Sequence, residues 1–204
     1  MRVVPLGRRL TVVDLSLSGQ ADPAAVRGFV HVDGEQLELG GPATLLWDAA
    51  RRSGDPVEVE ALARGWGLDD AGTTAGWAQL RELGAVADLE DTPDGRRDWA
   101  AAHTLHPLQP GLGEVPGRAA LHQVGLPGHP VAELSRPLRD VWAWGPLFAD
   151  LWASVTWHAA GYLAAGVDAP GAVDADLLLA DLVESLPALL STTAAYVDLA
   201  VGRP

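Results

Sequence analysis

Residues 41–89 read GPATLLWDAARRSGDPVEVEALARGWGLDDAGTTAGWAQLRELGAVADL. Three short helical patterns are packed into this stretch. Gly40-Gly41-Pro42 opens the first, with the proline suited to a first helical turn. Its apolar positions are Leu45, Leu46, Ala49 and Ala50, and Trp47 falls off that stripe. Ser53-Gly54-Asp55-Pro56 stops it and caps the second, which spans about 56–65 and carries Val57, Val59, Leu62 and Ala63. Glu58 and Glu60 near its start suit the helix dipole. After Gly65-Trp66-Gly67 and a turn at 69–72, Thr73 or Thr74 is expected to cap a third helix ending at Gly84, with Trp77, Leu80 and Leu83 inward. Ala85 to Leu89 is β-prone and reads as a closing wing strand.

Upstream, Phe29-Val30-His31-Val32 and Gln36-Leu37-Glu38-Leu39 flank Asp33-Gly34. Asp-Gly between two alternating runs signals a hairpin, because both residues tolerate positive φ. Strand, turn, strand, three helices and a closing strand together predict a winged helix-turn-helix over 1–92. Residues 10–17 alternate as a further strand, and 19–26 read as a turn with one helical turn or loop.

Residues 93–130 are rich in proline and glycine. They read as a long connector with short helices at most, near Asp98–His103 and Arg118–Val124. Residues 131–204 read as a helical bundle. From Pro146 the apolar positions 147, 148, 151, 152, 155, 159, 162 and 163 form one stripe, with Trp157 off it. Asp174 caps the next pattern. Pro187 kinks that helix or begins a last one carrying Leu189, Leu190, Thr193, Tyr196, Val197 and Ala200. The expected fold class is therefore α+β.

The chain has 204 residues, is 48% hydrophobic and carries a net charge of −13, so it can bury a core and repels polyanions. It has no cysteine, hence no disulfide and no thiolate chemistry. Arg8-Arg9 before Leu10-Thr11-Val12-Val13 has the look of an export signal, but Asp14 breaks the apolar run and no cleavage site follows. The expected location is cytoplasmic. Residues 141–167 are apolar enough to raise a membrane span; Asp150, His158 and the Gly145-Pro146 break argue against one.

His103-x-x-His106 has a spacing that would share a helical face, but Pro107 disfavours helix at His106. With His122 and His129 these read as solvated loop side chains, and no metal site or cofactor is expected. His158 reads as a hydrogen-bonded core or interface residue. Asp174, Asp176, Asp181 and Glu184 lack the spacing of a calcium loop. No nucleophile elbow, phosphate loop or carboxylate pair is readable, so the chain alone is not expected to be an enzyme. Trp142 and Trp144 cannot both face inward, since helical residues two apart diverge by about 200°. With Trp157 they are the candidate partner interface.

A winged helix suggests DNA. Yet 41–90 holds four arginines against nine acids, and the third helix has Arg81 as its one basic residue. Phosphate contacts need a positive face.

The order of elements over about 26–90 resembles the PqqD-like family, the recognition elements that bind leader peptides of ribosomally made, modified peptides. The carriers are FVHVDGEQLELG, ATLLWDAA, PVEVEALARGWG and WAQLRELGAV. The helical last third has no counterpart in the minimal domain of that family, which implies a fused docking domain or a partner subunit. The resemblance implies a leader peptide added as a strand to the hairpin edge, beside the third helix. The matching positions are Gln36, Leu37, Glu38 and Leu39 on the strand and Trp77, Leu80 and Arg81 on the helix. Leu37, Leu39, Trp77 and Leu80 read equally well as core. The implied partners are a precursor peptide and its modifying enzyme. If that enzyme is a metalloenzyme, the metal resides on it. A transcription regulator, or an adaptor assembling through its helical region, also fits the sequence.

Overall fold

The computed structural model describes residues 1–14 and 25–200. The expected turn over 19–23 lies outside them, as do residues 15–17 of the expected strand. The chain is mixed α/β with small antiparallel sheets, and it divides into two compact units, Met1–Leu89 and Glu90–Pro204.

The first unit contains β1 (Arg2–Pro5), β2 (Arg8–Asp14), β3 (Val26–Val32), β4 (Glu35–Leu39), α1 (Gly41–Ala50), α2 (Pro56–Gly65), α3 (Asp70–Glu82) and β5 (Val86–Leu89). The hairpin is present: Asp33 and Gly34 both have positive φ, 46° and 79°, as a two-residue turn of the mirror-image type requires. The sheet order is β2-β3-β4, so β4 is an edge strand. The closing strand β5 pairs with β1 in a separate two-stranded sheet and not with the hairpin.

Helix packing in this unit depends on small residues. A Cβ at Gly76 of α3 would lie 2.7 Å from Leu46 Cδ1 and 2.9 Å from the Pro42 carbonyl carbon, so glycine sets how closely α1 and α3 approach. Three details depart from the periodicity. Trp47 is buried, not off-stripe, because its indole N–H donates to the Leu6 carbonyl at 3.1 Å. Val57 is exposed rather than inward. Asp69, not a threonine, caps α3 by accepting from the Gly72 amide at 2.7 Å.

The second unit contains α4 (Pro93–Ala100), β6 (His103–Pro107), β7 (Gly111–Val115), β8 (Arg118–Leu126), β9 (His129–Ser135), α5 (Arg136–Trp144), α6 (Leu151–Ala164), α7 (Pro170–Val173), α8 (Ala175–Ser191) and β10 (Ala195–Leu199). A short 3-10 turn at Gly145–Leu147 separates α5 from α6. The reading of 93–130 as a connector with short helices is corrected: a helix, three strands and the start of a fourth occupy it, and β7-β8-β9 form a meander. Its prolines sit where a sheet tolerates them. Pro116-Gly117 and Pro127-Gly128 are the two-residue turns joining Val115 to Arg118 and Leu126 to His129. Both glycines have positive φ, as a turn with proline at its second residue and glycine at its third demands. Pro130 faces Gly125 at a register shift, where a Cβ would lie 2.6 Å from the His129 carbonyl oxygen.

The purely helical reading of 131–204 is corrected too. The unit is capped by β10, antiparallel to β6. α8 runs through Pro187 to Ser191 and stops before Thr193, whose φ is 57°. The apolar spacing of 189–200 imitates a helix, but Tyr196 and Val197 lie on a strand with Val197 fully buried. Asp174 caps α8 as expected, accepting from the amides of Asp176 and Leu177. Among the described residues no helix is long and apolar enough to cross a membrane.

Candidate functional site

The hairpin geometry determines what β4 offers along its edge. In a two-residue hairpin the residues flanking the turn exchange both backbone bonds, and bonded pairs then alternate along the ladder. Val32 pairs with Glu35, Val30 with Leu37 and Gly28 with Leu39. Glu35, Leu37 and Leu39 therefore direct their amides and carbonyls to β3. Gln36 and Glu38 direct theirs to the open edge. Side chains alternate as well: Leu39 is wholly buried, Leu37 is half-buried, and Gln36 and Glu38 are exposed. Arg27 on β3 pairs with Glu38 at 3.7 Å on that outer face.

The far end of β4 is tied down. Thr44 Oγ1 donates to the Leu39 carbonyl at 3.1 Å and to the Gly40 carbonyl at 2.9 Å. The Gly40 amide donates to Gln79 Oε1 of α3 at 3.1 Å. This last contact fixes which flank of α3 faces β4. Trp77 and Arg81 each lie about 160° around the helix from Gln79, whereas Ala75 and Leu83 lie within about 40° of it.

Trp77 and Arg81 are accordingly engaged elsewhere. The Trp77 indole N–H donates to Glu60 Oε1 of α2 at 3.2 Å, and the ring is nearly buried. The Arg81 guanidinium stands over the Trp77 ring, 5.4 Å from its centroid, and pairs with Asp88 of β5 at 3.5 Å. Leu80 is wholly buried in the core. Of the seven positions expected to meet a peptide, the structure groups Gln36, Leu37 and Glu38 on one accessible edge and buries Leu39 and Leu80. It sets Trp77 and Arg81 on the opposite flank of α3. Gln79 was missed at the sequence level; a polar residue on the border of an apolar helix face was its only signal.

The remaining side chains of α3 that face solvent are Ala71, Thr74, Ala75, Ala78 and Glu82, besides Asp70 and Arg81, which pair with Arg64 and Asp88. Elsewhere in this unit Asp48 and Arg51 of α1 form a partly buried cluster with Arg9, in which desolvation pushes the carboxyl up and the guanidinium down from their ordinary values.

Of the four histidines of the second unit read as solvated loop groups, His103 and His122 are buried, His106 is half-buried and His129 alone is exposed, and all four lie on strands. His103 is buried on β6, its Nδ1 2.6 Å from the Trp99 carbonyl and its ring stacked on Trp99. His106 stacks on Tyr196 and meets the Thr104 hydroxyl at 2.8 Å, and burial holds its imidazole below the ordinary histidine value. His122 is buried on β8 and His129 is exposed at the start of β9. Among the described residues no group of three or more His, Asp or Glu side chains gathers as a metal site would. Asp176 is gripped by both arms of the Arg97 guanidinium, which holds the carboxyl below its usual range.

The three tryptophans expected at an interface separate. Trp142 is core, its indole N–H donating to the Ala194 carbonyl at 3.1 Å. Trp144 and Trp157 are 52% and 63% exposed. Comparison with known protein families, curated proteins and solved structures returned no match.

Proposed function

We propose that the chain is a non-catalytic peptide-binding protein of the leader-recognition kind, in which an extended segment joins the β2-β3-β4 sheet as a fourth strand along β4. The first unit is then read as a winged-helix relative whose hairpin, and not its third helix, meets the ligand. The observation that carries this reading is the open edge at Gln36 and Glu38, two residues whose backbone groups have no strand beside them among the described residues. Strand addition satisfies such groups without calling for a basic surface. Half-buried Leu37 supplies an apolar contact on the inner side, and the small Ala75 beside Gln79 leaves room along α3.

The rival reading as a DNA-binding regulator is disfavoured by the solvent face of α3. It presents alanines, a threonine, an aspartate, a glutamate and one arginine already paired with Asp88, where phosphate contacts need unpaired cations. Any covalent chemistry on the peptide is assigned to a partner enzyme, and the presence of a metal there is a property of that partner.

The test uses peptides selected on the full chain from a random display library. Backbone amide shifts on binding are expected at Gln36 and Glu38, and Arg81→Glu is expected to change affinity less than about threefold because its charge sits on the far flank, partly solvated. Peptides that bind while leaving 35–39 unmoved overturn the assignment. Salt-dependent retention of duplex DNA in place of peptide would favour the regulator.

A further inference from the structure

The second unit contains a cavity of about 330 Å³ lined by Asp140, Trp144, Leu147, Phe148, Trp157 and His158. That volume is at the small end of ligand pockets, about 300–1,000 Å³. The lining is unusual for a surface left to water. Leu147 is 76% exposed, and Trp144 and Trp157 are more than half exposed, so three large apolar side chains converge on one opening. Exposed aromatic clusters of this kind mark binding surfaces.

One lining residue, His158, carries a polar atom that the fold leaves without a partner. His158 is buried on α6, and its Nδ1 lies 2.8 Å from the Ser154 carbonyl oxygen. Nδ1 therefore holds the proton and donates it, which leaves Nε2 as a bare acceptor. That atom is buried and has no hydrogen-bond partner. Phe148 and Trp157 pack on the imidazole, their ring centroids 5.6 and 5.0 Å away. A buried acceptor left unsatisfied is a standing cost that a ligand donor would remove.

The other polar group of the lining is already engaged. Asp140 accepts a hydrogen bond from the Tyr162 hydroxyl and pairs with Arg139 at 2.9 Å. The Tyr162 phenol is pushed up to about 12 by burial and by that carboxylate, so it stays a donor to Asp140 at neutral pH. Asp140 is thus satisfied within the fold, and the buried unmet demand of the lining is a donor for His158 Nε2.

We infer that this pocket binds an aromatic ring bearing an N–H or O–H donor, of the indole or phenol class, with the ring against Trp144, Phe148 and Trp157 and the donor on His158 Nε2. The same chemistry is offered by a free small molecule and by a tryptophan or tyrosine side chain of a peptide. The site stands on its own geometry and does not depend on the β4 reading.

The test titrates indole, N-methylindole and N-acetyltryptophanamide into the full chain, followed by imidazole nitrogen NMR. Indole is expected to move the His158 Nε2 resonance and to bind about tenfold more tightly than N-methylindole, which lacks the donor. His158→Phe is expected to make the two ligands equal; should that variant not fold, the ligand pair on the unaltered chain decides alone. Tighter binding of the amide than of indole assigns the pocket to a peptide side chain, and the reverse order assigns it to a small molecule. Equal affinity of indole and its methylated form, an unmoved His158 resonance, or no binding of indole up to its solubility overturns the proposal.

Discussion

Replacing Glu38 by proline probes the open edge with little disturbance to the fold. The Glu38 amide points away from β3, so proline at this position removes no ladder bond, and edge positions with outward amides are where strands tolerate proline. What the fold loses is the exposed 3.7 Å pair with Arg27, worth about 0–1 kcal/mol. What a bound strand loses is larger. One hydrogen bond of about 0.5–1.5 kcal/mol disappears. The ring also intrudes on the partner backbone and leaves its facing carbonyl desolvated without a donor, adding about 1–3 kcal/mol. Peptide affinity should therefore fall between about tenfold and a thousandfold, each tenfold being 1.4 kcal/mol. Glu38→Ala is the control, since it removes the same side chain and keeps the amide. Calorimetric titration of a selected peptide against both variants, with urea unfolding of each, reads the effect. Equal affinity of the proline and alanine variants would refute the reasoning, because a ligand indifferent to that amide is not pairing with β4.

Two further outcomes follow from packing and protonation. Gly76→Val should destabilise the first unit by about 1–3 kcal/mol, since its Cβ meets the Pro42 backbone as well as the Leu46 side chain and backbone cannot step aside; urea midpoints measure it. His106 has its folded value depressed by burial, so its contribution to stability is complete above the unfolded value of about 6.5 and is lost as pH falls through the folded value. The melting temperature should drop between neutral and mildly acidic pH, and His106→Gln should remove part of that drop.

Much of the first unit was legible because its signals are local. Asp33-Gly34 can adopt positive φ twice in succession, and Asp55-Pro56 both caps and starts a helix. What could not be read is whatever depends on a partner distant in sequence. Trp47 leaves the apolar stripe of α1 because Leu6, 41 residues upstream, supplies a carbonyl on its other side. The flank of α3 that faces β4 is fixed by Gln79 and Gly40, 39 residues apart, and periodicity alone groups Trp77 with Arg81 without saying what they face. In the second unit the same residue types misled. Pro116-Gly117 and Pro127-Gly128 are specific turn instructions, but their density made a meander look like a connector. His158 was correctly placed near a buried face, yet nothing in the order of residues reveals that one of its nitrogens lacks a partner.

A strand edge that could accept an extended peptide could equally accept a second copy of the chain. Here exposed Glu38 acts as a filter. Antiparallel pairing of two β4 strands about Glu38 would set the two Glu38 carboxylates opposite one another on the same face, so like charges would meet in the ladder. A ligand with a basic or neutral side chain at that place pays no such repulsion. The Glu38 carboxylate thus weighs against that self-pairing in dilute salt, and its effect weakens as ionic strength rises and screens it.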